Sequence, residues 1–160
     1  MRNLRKDAKT GSLIVLAFLI VAQAFRIERT NPPAYAEVPA DPAVKSLLKR
    51  ACYNCHSNET VWPWYSGVAP ASWMVGSDVK EGRQNLNFSA WGSYVGNDRL
   101  LKLRAIIREM QDGDMPPWYY SIVHGESRLN QRERDHIKTW AAAELDRMGS
   151  GKKPAGGDAK

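Results

Sequence analysis

Cysteine is scarce in this chain, two among 160 residues, and histidine nearly so, with three. A structural zinc site takes four ligands, and two cysteines with three scattered histidines offer no recognisable zinc spacing. No stretch alternates apolar and polar residues over a convincing strand length, and no segment repeats, which points away from sheets and solenoids. Long apolar runs are missing too. The run from Leu13 to Phe25 is thirteen residues with only Gln23 polar. It falls short of the roughly 17–25 residues of a membrane span and fits the apolar region of a signal peptide. An excess of one charge is absent from the part expected to fold. Residues 1–24 hold four Lys/Arg and one Asp, and residues 151–160 hold three Lys and one Asp; without them, 23 basic and 17 acidic residues become 16 and 15. So balanced a domain carries no electrostatic footprint for nucleic acid, whatever the whole-chain net charge of +6 suggests.

The two cysteines stand together, in Cys52-Tyr53-Asn54-Cys55-His56. This is C-x-x-C-H, the c-type haem attachment motif. Two thiols separated by two residues can each form a thioether to one vinyl group of the same porphyrin. The adjoining His56 is then placed to give the iron a neutral imidazole nitrogen. A redox dithiol would need a thioredoxin-like βαβ context, which is not seen. A disulfide across so short a loop leaves His56 without a role.

The basic start Met1-Arg2-Asn3-Leu4-Arg5-Lys6 precedes the apolar run, so the N-terminus is expected to stay cytoplasmic and the remainder to be exported. Ala22-Gln23-Ala24 resembles an A-x-A cleavage site. Cleavage there would leave Phe25 as the new N-terminus. Two readings of residues 1–25 stand: a signal peptide, or an N-terminal membrane anchor stretched over Gly11 to Ile27. Residues 26–40, with Pro32, Pro33 and Pro39, read as an extended Pro-rich linker.

From 41 to 148 the punctuation is helical. Asp41 as N-cap and Pro42 at the first position open a helix whose apolar stripe is Val44, Leu47, Leu48 and Ala51, and which delivers Cys52. Pro70 opens a second that runs through Trp73 and Val79 and stops near Gly82. Residues 85–96 look irregular, with Phe88, Trp91 and Tyr94 turned inward. Asp98 is expected to cap a helix carrying Leu100, Leu103, Ile107 and Met110, ended by Gly113. Asn130 and Glu133 form a variant capping box for the last helix, whose apolar face is Ile137, Trp140, Ala141, Leu145 and Met148. Residues 149–160 read as a disordered tail.

A second iron ligand is sought in Asp114-Met115-Pro116-Pro117. A thioether is a good distal ligand, and two prolines stiffen the loop that would hold it. The rivals are Met110, better placed as core, Met74, His136 beside a charged face, and His124, which would give bis-histidine ligation, make a hydrogen bond near the haem or simply anchor its loop. The six tryptophans, Trp62, Trp64, Trp73, Trp91, Trp118 and Trp140, are expected to pack the haem crevice and core.

Taken together, a capped helix, C-x-x-C-H, a middle helix, Met-Pro and a final amphipathic helix resemble a monohaem cytochrome c. More narrowly, residues 30–143 resemble the bacterial haem-binding domain family, through Cys52 to Thr60, Trp62-Pro63-Trp64-Tyr65, Gly82-Arg83, Leu86-Asn87-Phe88-Ser89, Asp114-Met115-Pro116-Pro117, and His124 followed by Leu129. The resemblance implies an all-α, cytochrome c-like domain wrapped around one covalent haem c, with thioethers at Cys52 and Cys55, His56 as proximal iron ligand and Met115 as distal ligand. It implies export to the periplasmic side of the bacterial inner membrane, soluble or anchored, but leaves the physiological role unassigned. Single-electron transfer between transiently docked redox partner proteins is expected because an iron ligated by both His56 and Met115 gives a substrate no open site. No residue is read as catalytic under that function. A haem-based sensor and a peroxidase-like enzyme with a displaceable Met115 are the alternatives.

Overall fold

The computed structural model describes residues 2–150. Among the described residues seven α-helices run in chain order: α1 Arg2–Ala22, α2 Pro42–Ala51, α3 Tyr53–His56, α4 Ala71–Asn85, α5 Asn97–Asp112, α6 Trp118–Val123 and α7 Gln131–Gly149. Among the described residues there is no strand, only one isolated parallel bridge between Ala36 and Ala90. The chain is therefore all-α, as its patterning indicates. The expected tail beyond 150 lies outside the described residues.

Capping follows the sequence closely at two helices. The Asp41 carboxylate accepts from the Ala43 and Val44 amides at 2.9 and 3.0 Å, satisfying two orphan donors of α2. At α7 the Asn130 side chain accepts from the Glu133 amide, and the Glu133 carboxylate accepts from the Asn130 amide. That is a reciprocal capping box.

Two expectations need correction. Asp98 does not cap α5: the cap position is Gly96, and Asp98 lies in the first turn, where its charge still suits the helix dipole. Gly82 does not stop α4, which continues to Asn85 and ends where Leu86 turns extended. Glycine is tolerated there because close packing demands it, as the site shows below. Gly113 does close α5, in the left-handed region at φ 80° that glycine alone adopts without strain.

The core joins α2, α5 and α7 with the irregular segment after α4. Val44 and Leu48 meet Leu103 and Met110, Ile137, Trp140 and Ala141, with Phe88 and Trp91 filling the space between helices. Of the α5 stripe, Ile106 is buried where Ile107 was expected, and Ile107 packs at its edge. Residues 26–40 run extended over this body. The Asn31 amide donates to Thr60 O, the Asn58 amide to Pro33 O, and the Tyr35 and Ala36 amides to Ser89 O.

Along α1 the apolar residues from Leu13 to Val21 lie exposed, whereas Ala22 is buried. Among the described residues no helix is long and apolar enough to cross a membrane. Just past α1, the Gln23 side chain donates to Ala69 O at 3.1 Å and accepts from the Ala69 amide at 3.0 Å. The Trp73 indole donates to Phe25 O at 2.8 Å.

Candidate haem-binding site

Helix α2 buries Val44, Leu48 and Ala51, so its C-terminal end is fixed against the core and the chain enters the motif in a set direction. The Cys55 and His56 amides then donate to Cys52 O at 3.1 and 2.9 Å, making α3 a single helical turn. Three-residue spacing on one turn brings Cys52 and Cys55 to the same face. Both thiols are free. Burial, with a smaller push from Cys55, raises Cys52 to about 12; burial and then Asp78 raise Cys55 to about 11, against the pull of Arg83. A reactive dithiol has a depressed pKa, so this environment runs against redox chemistry at the pair.

The intervening residues brace the turn. Asn54 donates to the Tyr120 hydroxyl at 2.7 Å, accepts from the Val61 amide at 3.0 Å, and offers its carbonyl to the Thr60 hydroxyl at 2.9 Å. The Tyr53 ring stacks on Phe88 at 5.4 Å with an interplanar angle of 13°.

His56 is oriented by the end of α4. Its Nδ1 lies 2.9 Å from Gly82 O and 3.1 Å from Leu86 O. Carbonyls only accept, so Nδ1 carries the proton and Nε2 is left with the free lone pair. Burial holds the imidazole below its usual pKa, against the two carbonyls that favour its charged form. The ring is thus neutral and ready to ligate a metal.

Met115 follows the Gly113 stop of α5, and its carbonyl accepts from the Arg134 guanidinium at 2.8 Å, which ties the loop to α7. Pro116 and Pro117 lead into α6. Two cavities, of about 230 and 440 Å3, share four lining residues: Cys52, His56, Asn85 and Met115. The smaller is completed by Cys55, Asp78, Glu81, Tyr119 and Tyr120. The larger reaches the core at Phe88, Met110 and Ile137, and its lining also includes Lys102, Arg108 and Glu109. A thiol pair, an imidazole with a free Nε2 and a thioether therefore border two cavities that share four lining residues, a donor set that fits haem.

The remaining candidates are elsewhere. His124 lines a third, smaller cavity that excludes His56 and Met115. Its Nε2 accepts from the Tyr65 hydroxyl at 2.6 Å and its Nδ1 faces Glu126 at 3.1 Å, while its ring stacks on Tyr120 at 4.4 Å. Met110 is core, and Met74 and His136 are exposed. The tryptophan expectation holds only in part. Trp91 and Trp140 are core, but Trp64 is 83% and Trp118 74% exposed, and no tryptophan lines either cavity beside His56. Neighbouring Tyr119 and Tyr120 take the wall instead.

Sequence reasoning missed Gly82 as a neighbour of the motif, along with Leu86 O, Asn85 and Asp78. Only Gly82 left a signal: a glycine inside a helical pattern often marks close approach. A Cβ there would stand 2.5 Å from Cys55 O. Burial raises the Asp78 carboxyl above its usual value, the Tyr119 hydroxyl bond opposes this, and Glu81 adds to it.

Comparison with known proteins agrees with this chemistry. A curated relative, the cytochrome c peroxidase of Escherichia coli (strain K12), is 27% identical over 99 residues, which cover 60% of this chain and 21% of that protein. The chain thus spans about a fifth of that relative's length. No solved structure matches it. The model of a family described as haem-binding domain matches residues 17–143, and with that span the chain belongs to the haem-binding domain family.

Proposed function

We propose that this protein is an exported monohaem c-type cytochrome that carries single electrons between redox partners. The observation that carries the reading is the shared border of the two cavities: Cys52, His56 and Met115 line both. Thioethers at Cys52 and Cys55 would hold the porphyrin, and His56 Nε2 and the Met115 sulfur would ligate its iron. When bound, haem supplies an iron that changes by one electron.

The chain's own residues do the rest. Gly82 O and Leu86 O fix the His56 tautomer, so the imidazole needs no proton change when the iron changes charge. Arg134 and the two prolines hold the Met115 loop, which limits rearrangement between oxidation states. Phe88, Met110 and Ile137 keep one cavity apolar, and burial is a lever on potential. Partners would dock transiently through small, electrostatically steered contacts. The basic start and the apolar run that follows it suit export to the periplasmic side.

The test is the spectrum of the purified holoprotein. A low-spin ferric state with the near-infrared sulfur–iron charge-transfer band supports the carrier; a high-spin ferric state refutes it. The partial likeness to a cytochrome c peroxidase favours a second reading, peroxidase-like catalysis with a displaceable Met115. There the proton-moving groups within the cavity beside His56 are Asp78 and Glu81. A haem-based sensor would instead show itself through carbon monoxide binding the reduced protein at low concentration.

A further inference from the structure

Helix α4 contains two glycines in its interior, Gly76 and Gly82, where glycine is an unfavourable helix residue. Each is a contact notch, but against different things. A Cβ on Gly76 would meet the Ile27 side chain, 2.7 Å from its Cδ1. A Cβ on Gly82 would meet backbone: 2.5 Å from Cys55 O and 2.9 Å from Cys55 C. A side chain such as Ile27 can shift. The Cys55 carbonyl cannot, because it belongs to the turn that sets the attachment geometry. Gly82 is therefore what lets the last turn of α4 lie directly on the motif.

That approach has a chemical consequence. The last carbonyls of a helix lack intrahelical partners and sit at the negative end of its dipole. Here Gly82 O, in the last turn, already accepts the Leu86 amide at 2.8 Å, and Leu86 O belongs to the extended residue just past the helix; both converge on one proton, the Nδ1–H of His56. Next along the helix, Arg83 clamps the other side of the ligand. Its Nε donates to Ser57 O, one residue after His56, at 2.7 Å, and its Nη atoms reach Thr30 O, the Asn31 side chain and the Thr60 hydroxyl.

We infer that Gly82 and Arg83 are positioning residues that press the carbonyl end of α4 onto His56 and thereby set its donor strength toward the haem iron. Two carbonyl acceptors, one in the last turn of α4 and one on the residue that follows it, draw the Nδ1 proton away from the ring, and Nε2 becomes the more basic ligand. A more basic ligand favours ferric over ferrous iron, so the contact lowers the reduction potential. This inference rests on the haem reading above and adds to it the element that tunes the metal.

The test compares three variants of the holoprotein by spectroelectrochemical potential, by solvent exchange of the His56 Nδ1–H in the NMR spectrum of the reduced state, and by melting temperature. Gly82→Ala moves α4 off the motif; its potential should be more positive than the parent's and the Nδ1–H should exchange faster. Gly76→Ala is the control for packing alone: whichever way its melting temperature moves, potential and exchange should stay unchanged. Arg83→Lys keeps the charge but loses the fork, and should shift potential and exchange in the same direction as Gly82→Ala. It carries the test if Gly82→Ala yields no holoprotein. The inference is overturned if Arg83→Lys matches the parent in both readouts, or if Gly82→Ala moves the potential no more than Gly76→Ala does. A parent without a low-spin spectrum defeats the haem-ligand reading instead; an intact spectrum with an unmoved potential defeats only this one.

Discussion

Phe88 links the core to the attachment turn, and replacing it by alanine tests that link most severely. Its ring is 1% exposed, stacked on Tyr53 at 5.4 Å and on Trp91 at 6.2 Å, and its amide donates to His56 O at 2.8 Å. A buried Phe→Ala change costs about 3–5 kcal/mol, because the transfer energy of the ring and the cavity it leaves both count. With an unfolding entropy of roughly 2.1 cal/mol/K per residue over about 125 residues, a loss of about 4 kcal/mol lowers the melting temperature by about 15 °C. Phe88 also lines the larger cavity beside His56, so its removal lets water approach. Greater polarity around haem favours the ferric state, and the potential should fall. The assay is thermal unfolding of the holoprotein by circular dichroism, with the potential measured on the same preparation and the exposed Tyr35→Ala as control. A melting temperature within about 4 °C of the parent would refute the reasoning, since the stack would then not be part of the core.

Other expectations follow from single contacts. Met115→Ala should lower the potential, open the iron to added ligands and abolish the near-infrared band; a spectrum identical to the parent's would remove Met115 from the iron. Asp41→Ala deletes both bonds to the first turn of α2 and should cost about 1 kcal/mol, with the haem still attached; an unchanged melting temperature would show that the cap contributes nothing. Asp78 gives a pH dependence. Burial first, opposed by Tyr119 and reinforced by Glu81, raises its folded pKa above the unfolded value, so the folded state binds more protons in that window. Stability from this group therefore falls as pH rises through the raised pKa, and stays lower above it. Asp78→Asn should be more stable than the parent near neutral pH, with the gap closing in acid; a gap independent of pH would contradict the sign.

Much of this site was legible because each piece is local. Asp41 with Pro42, Asn130 with Glu133, and Gly113 announce their helix ends through backbone chemistry that needs no tertiary context. Cys52, Cys55 and His56 form one turn, and Met115 lies between breakers, so their meeting required only that the helices between them pack. What escaped was long-range. Gly82 reads as a stop until Cys55 O is seen beside it, and Asp98 reads as a cap until Gly96 takes the position. His124 looks free for iron in sequence, yet Tyr65, 59 residues away, and Glu126 engage both its nitrogens. Trp64 and Trp118 carry the same apolar ring as Trp91, but only the fold decides which is covered. Residues 26–40 show extended character through their prolines, whereas their bonds to Thr60, Asn58 and Ser89 depend on segments far along the chain.

The most direct measurement is the intact mass of the denatured protein, purified from a bacterial host that attaches haem c. A mass increased by one haem that survives acidic organic extraction, with neither Cys52 nor Cys55 open to alkylation, is the predicted result. An unmodified mass with two alkylatable thiols, or pigment lost to the solvent, would contradict the account.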